Sequence, residues 1–197
     1  MGKTNRRKRR NKRAVMVRRM VLGVMVLVLS GLCMCLYLLV SKGNPSEEGI
    51  ESLEKGQYEE AVSQFEKAVK EEVNVGDAYR GIGIARWEME DYEGALEAFQ
   101  KALEQEPESS FTGTIYNFLG NCELKTGNPQ SAQNYFQLGI GLEGNSAELD
   151  QEMKYNLIVA LEQSGDWENA KAKVTEYAAQ YPDDASVLKE QQFLETR

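Results

Sequence analysis

Four alanines set the spacing of this chain: Ala61, Ala95, Ala132 and Ala170 are separated by 34, 37 and 38 residues. Phe65, Phe99 and Phe136 follow the first three by four residues, with Val174 in the fourth place. Ala68, Ala102, Gly139 and Tyr177 follow by seven. Steps of four and seven put these side chains on one face of a helix. Small residues there let two helices approach closely, and the aromatic fills the space between them. Breaker signals precede each alanine: Lys55-Gly56-Gln57, Glu90-Asp91, Thr126-Gly127-Asn128-Pro129 and Ser164-Gly165-Asp166. No run of alternating β-branched residues competes with this pattern, so the chain beyond residue 46 reads as all-α. A helix pair of this size cannot bury its apolar face alone, so the units must stack.

Charge divides the chain before any fold is argued. Ten lysines and arginines lie in residues 1–19: Lys3, Arg6, Arg7, Lys8, Arg9, Arg10, Lys12, Arg13, Arg18 and Arg19. Met20 to Val40 carries no charge and would span about 31 Å as a helix, close to the ~30 Å hydrocarbon core of a bilayer. The arrangement predicts a basic cytoplasmic arm (1–19), a transmembrane signal-anchor helix (20–40), a short linker (41–46) and an exported domain (47–197), the layout of a bacterial cell-membrane protein. Beyond position 40 lie 13 basic and 31 acidic residues, a net charge of −18. So acidic a domain repels phosphates, which argues against nucleic acid and anionic lipid as its partners. The basic arm has no aromatic before Tyr37 on which bases could stack, so attraction to lipid headgroups is the better account of it.

Cys33 and Cys35 fall within the apolar run, and Cys122 is alone in the acidic part, so no disulfide can form there. Leu32 and Met34 are larger than the residue that precedes a lipidated cysteine. No small-x-small cleavage pattern follows the run, which favours an uncleaved anchor. The chain has no histidine, removing the commonest general base and metal ligand. Cys122 has no activating partner in the pattern and reads as core. Adjacent acids such as Glu59-Glu60, Glu71-Glu72 and Asp183-Asp184 point apart on a helix. No phosphate loop or metal-ligand spacing occurs, and Asn44-Pro45-Ser46 is blocked as a glycosylation site by its proline. Neither catalysis, a cofactor, a metal nor a small-molecule substrate is expected.

The repeating unit resembles the tetratricopeptide repeat, a 34-residue helix-turn-helix with the pattern W-x2-L-G-x2-Y, then A-x3-F, A and P. Gly76 to Ser109 carries it best, with Tyr79, Ile82, Gly83, Tyr92, Ala95, Phe99, Ala102 and Pro107 in place. Gly113 to Ser146 keeps Tyr116, Leu119, Gly120, Gly127, Ala132 and Phe136, with Pro129 where a tyrosine is usual. The first copy keeps Gly49, Gly56, Tyr58, Ala61, Phe65 and Ala68. The fourth keeps Leu157, Gly165, Trp167, Ala170 and Pro182, with Ile158 in place of the close-packing glycine. The resemblance implies an α-solenoid of four repeats (47–75, 76–109, 113–146 and 151–184). Residues 184–196 are expected to form a capping helix, with Val187, Leu188 and Leu194 on its apolar side. Extra residues are expected in the connections near Glu108-Thr112 and Gly144-Asp150.

Such arrays present the first helix of each pair along a concave groove that holds a peptide or a partner helix. Carried onto this chain, the resemblance places Arg80, Ile84, Trp87, Asn117, Asn121, Lys125, Tyr155 and Val159 on that groove. Trp87 and Tyr155 would be its anchors, and Asn117 and Asn121 would hydrogen-bond a peptide backbone; the competing reading packs Trp87 on the neighbouring unit. The expected function is a membrane-tethered scaffold holding a protein partner outside the cytoplasm, in envelope or secreted-protein assembly. The alternatives are a holdase for unfolded exported chains and, with reversed topology, a cytosolic docking receptor.

Overall fold

Asn44 caps the first helix. Its side-chain oxygen accepts a hydrogen bond from the Ser46 N–H over 3.1 Å, and Pro45 takes the first helical position, where a proline loses no hydrogen bond. The computed structural model describes residues 44–194. In it α1 (Pro45–Glu54) pairs with α2 (Tyr58–Lys70), and α3 (Val75–Glu88) with α4 (Tyr92–Gln105). Two further hairpins join α5 (Thr112–Lys125) to α6 (Pro129–Gly139) and α7 (Ala147–Ser164) to α8 (Trp167–Gln180), before α9 (Ala185–Leu194). Among the described residues there is no strand, and no helix is long and apolar enough to cross a membrane. The basic arm and the anchor expected at 20–40 lie outside the described residues.

The alanine period is a packing period. Ala61, Ala95, Ala132 and Ala170 are fully buried, as are Phe99 and Phe136, and Phe65 nearly so. Each phenylalanine lies against a glycine of the preceding helix: Gly49 on Phe65, Gly83 on Phe99, Gly120 on Phe136. A Cβ added at Gly83 would sit 2.7 Å from Phe99 Cδ1, inside any tolerable contact. The fourth hairpin solves the same interface the other way round. Ile158 stands in the glycine position and Val174 in the phenylalanine position, both buried, so the bulk has moved across the interface while the helices still meet.

A left-handed residue ends the first helix of every hairpin. Gly56, Gly127 and Gly165 take φ of 69°, 82° and 79°, and Glu90 takes 61° in the second hairpin. The next N–H then bonds back five residues, as from Asp91 to the Arg86 carbonyl at 2.9 Å. Glu90 does this without glycine's freedom, at a cost of about 1 kcal/mol. Pro129 starts α6 where Tyr58, Tyr92 and Trp167 start the other second helices.

Two boundaries differ from the sequence expectation. Pro45 and Ser46, which close the expected 41–46 linker and also read as a helix start, are the buried opening residues of α1, because Asn44 supplies the cap. The first helix of the fourth hairpin begins at Ala147, four residues before the repeat frame, because Ser146 Oγ accepts the Leu149 N–H at 3.1 Å. The long connection before it is tied down by Asn145, whose Nδ2 donates to the Gly139 carbonyl at 2.8 Å and to Asp150 Oδ1 at 2.6 Å. In the closing helix, Val187 and Leu194 are buried against the last hairpin. Consecutive helices pack in chain order, and the first helices also meet directly, α1 on α3 and α5 on α7. They therefore line one side of the stack.

Candidate partner-binding groove

On that side, one register is read most easily. The residue after each close-packed glycine lies about 100° round the helix from it. It is Ile50 on α1, Ile84 on α3 and Asn121 on α5, and Val159 follows Ile158 on α7. Ile50 is 52% exposed, an unusual position for a large aliphatic side chain, whereas Ile84, Asn121 and Val159 are half-buried. Ile50 was not among the residues expected from the sequence, although its register with Ile84 was available there.

The expected groove residues fall into four local groups. Arg80 is held by Asp77 at 2.6 Å and lies 3.6 Å from the centroid of the Phe111 ring. That ring, from the connection between the second and third hairpins, is 41% exposed. Trp87 packs edge-on to Tyr92 and to Phe118 of the next hairpin, with centroids 5.1 and 5.7 Å away. Its inter-unit packing is thus realised, with part of the indole left open. Lys125 stands 5.8 Å from the centroid of the same Tyr92 ring, and Ile84 joins the core around Phe99. Trp87 and Lys125, far apart in sequence, are brought together on Tyr92.

Asn117 and Asn121 form the third group. Asn117 is buried and bonded within the array: its Nδ2 donates to Glu152 Oε1 at 2.8 Å, and its Oδ1 accepts from Asn121 and Asn156 at 3.2 Å each. Asn121 Nδ2 also donates to the Asn117 carbonyl at 2.9 Å. The pair expected to hold a peptide backbone spends much of its hydrogen-bonding capacity joining the third hairpin to the fourth. Asn156 and Glu152 complete this network. Neither could be paired with Asn117 from the sequence, since the separations of 39 and 35 residues reflect how the hairpins dock.

Tyr155 and Val159 make the fourth group with two acids. The Tyr155 hydroxyl donates to Glu190 Oε1 on α9 at 3.3 Å, and its ring meets Tyr177 edge-on at 6.0 Å. Burial, then the Glu190 carboxylate, pushes the Tyr155 phenol above its ordinary value. Glu162, two turns along α7, is pushed up to about 7 by burial and by the facing Glu190 carboxylate. Cys122 is fully buried between α5 and its neighbours, and burial first, then the Glu123 charge, pushes its thiol up to about 12. Among the described residues no group of three or more acids or cysteines could hold a metal ion.

Stacked helical hairpins whose first helices line one face define an α-solenoid of the interaction-module class. Sequence models described as tetratricopeptide repeats match residues 49–72, 74–141 and 119–185. The chain belongs to the tetratricopeptide repeat family. No curated protein matches it in sequence. Among solved structures it is similar to a MamA protein, at 16% identity and a TM-score of 0.66, covering 76% of this chain and 78% of that one. It is similar to YrrB, described as a TPR protein with an unusual peptide-binding site, at 22% identity and TM-score 0.66, over 77% and 75% of the two chains. It is also similar to MamA from Desulfovibrio magneticus RS-1, from residue 41 to the end, at 19% identity and TM-score 0.66, over 80% and 87%. At these identities the likeness is one of fold.

Proposed function

We propose that this protein is a membrane-tethered scaffold whose repeat array, on the extracytoplasmic side, holds a protein or peptide partner along the first-helix face. The observation that carries the binding reading is Ile50, a half-exposed aliphatic side chain in register with Ile84 and Val159 on a face otherwise built of partly open aromatic and amide groups. YrrB, with its peptide-binding site on the same fold, supports a peptide as occupant. The tether and its orientation rest on the ten basic residues of the first 19 and the uncharged stretch that follows. Tethering would confine encounters to the membrane surface and raise the effective concentration of the partner.

A photo-crosslinking residue placed at Ile50 of the full-length chain in cells tests the groove, with one at Leu138, 54% exposed on a second helix, as the comparison. A discrete adduct from position 50 and none from 138 supports a scaffold. A ladder of unrelated adducts from position 50 supports the holdase instead, and equal capture from both positions removes the groove. Protease added outside intact cells should cut the connections at 106–111 and 140–146; full protection would reverse the topology.

A further inference from the structure

Besides the apolar seat of Val187 and Leu194, the fourth hairpin meets the closing helix through acids, and among the described residues no ion pair joins them. Glu162 lies near the C-terminal end of α7, and its Oε1 is buried with no hydrogen-bond partner. Glu190 faces it from α9, and Tyr155, two turns back on α7, donates to Glu190. Asp184, at the joint between α8 and α9, adds its charge around Tyr155. Among the described residues, no charged group of α5, α6 or α8, the other helices packed on α7, acts on Glu162 beside the Glu190 of α9. Among the described residues no lysine or arginine pairs with Glu162 or Glu190. A buried carboxyl oxygen without a donor is satisfied when it carries its own proton toward a facing carboxylate, whereas two facing carboxylates repel.

We propose that Glu162 and Glu190 form a pH-sensitive clasp, in which a proton carried by Glu162 against the facing Glu190 carboxylate seats α9 on the last hairpin and its loss lifts it, uncovering the groove end at Tyr155 and Val159. The clasp itself does not depend on the groove having a partner; only its consequence for access does. Burial together with the Glu190 charge brings Glu162 to about 7, so the change falls in the neutral range. The docked value lies above the usual 4.5 of a free glutamate. Docking is therefore tightest below that usual value and weakens as the pH rises through about 7. The apolar ties of α9 and its tie through Asp184 are unaffected over that range. Val187 and Leu194 are apolar, and Asp184, held by the Tyr177 hydroxyl at 2.6 Å, stays ionised.

Hydrogen–deuterium exchange of the full-length chain, corrected for the intrinsic pH dependence of exchange, tests the clasp. Between pH 5.5 and 8.5, protection of the α9 amides should fall about tenfold, while protection of α3 to α6 stays level. In Glu162→Gln the α9 protection should stay high across the range, because the amide brings its own donor and cannot ionise. Glu190→Gln should shrink the response, since burial alone still holds Glu162 above its ordinary value, and the α3 to α6 amides report whether either variant has kept its fold. Protection of α9 that is flat with pH in the unmodified chain overturns the clasp, as does an undiminished pH response in both variants. Neither result bears on crosslinking at Ile50, so the clasp and the groove can fail separately.

Discussion

Asn117 donates its side-chain amide to Glu152 across the boundary between the third and fourth hairpins, 2.8 Å from nitrogen to oxygen, with Asn117 only 7% exposed. A hydrogen bond to a carboxylate from a buried amide joins units more firmly than it advertises a ligand site. Asn117→Ala should therefore lower stability by about 1–3 kcal/mol, because Glu152 and Asn156 lose their partner. In a double-mutant cycle with Glu152→Ala, followed by urea unfolding of the helical circular dichroism signal, the pair should couple by about 1 kcal/mol. Additive losses would assign Asn117 to the partner instead.

Gly83 and Gly76 lie on the same helix and should respond differently to alanine. At Gly83 the new Cβ meets the wholly buried Phe99 ring at 2.7 Å, and that ring is itself stacked on Phe118. Overpacking of about 1–3 kcal/mol should outweigh the gain of about 1 kcal/mol in helix propensity, so Gly83→Ala loses stability. At Gly76 the obstacle is the end of the exposed Glu106 side chain, which can swing away. Thermal unfolding should show Gly76→Ala unchanged within about 0.5 kcal/mol.

Cys122 should behave as an inert core residue. Its thiol is wholly buried and pushed up to about 12, leaving almost no thiolate at pH 8. Peptide-level mass spectrometry after iodoacetamide treatment should find it alkylated at least about 100-fold more slowly in the native chain than in denaturant. Comparable rates in the two conditions would mean that α5 opens readily.

The Tyr177 hydroxyl donates to Asp184 at 2.6 Å and holds that carboxyl below its usual 3.8. Tyr177→Phe should cost about 1–2 kcal/mol at neutral pH. A carboxyl depressed in the folded state contributes stability that is present above its unfolded value and is lost as the pH falls through its folded one. The deficit of the variant should hold from pH 8 to 5 and shrink below the usual carboxylate range. A deficit independent of pH down to 2 would show that the lost bond is not to an ionised Asp184.

How much of this was legible in the chain varies with the kind of contact. The Ala95 to Phe99 step and the left-handed turns at Gly56, Gly127 and Gly165 are local, recur at a fixed spacing, and involve residues with few substitutes. They could be read directly. The exchange of bulk between Ile158 and Val174 was visible only as a departure from the pattern. Arg80 on Phe111 and Glu190 facing Glu162 gave no signal, because the connection and the closing helix have no counterparts in the other repeats with which to compare them.

What the sequence determined by itself is the hairpin: its alanines, glycines and phenylalanines leave one way for two adjacent helices to close on each other. Only the tertiary structure decided which polar groups remain available on the shared face. Asn117 and Asn121 look free along a single helix, yet docking of the next hairpin brings Glu152 and Asn156 to them. Ile50, for which the repeat pattern names no role, stands half-exposed on α1. Burial and hydrogen-bond partnership are set by neighbours some 30 to 40 residues away, and no local pattern specifies those.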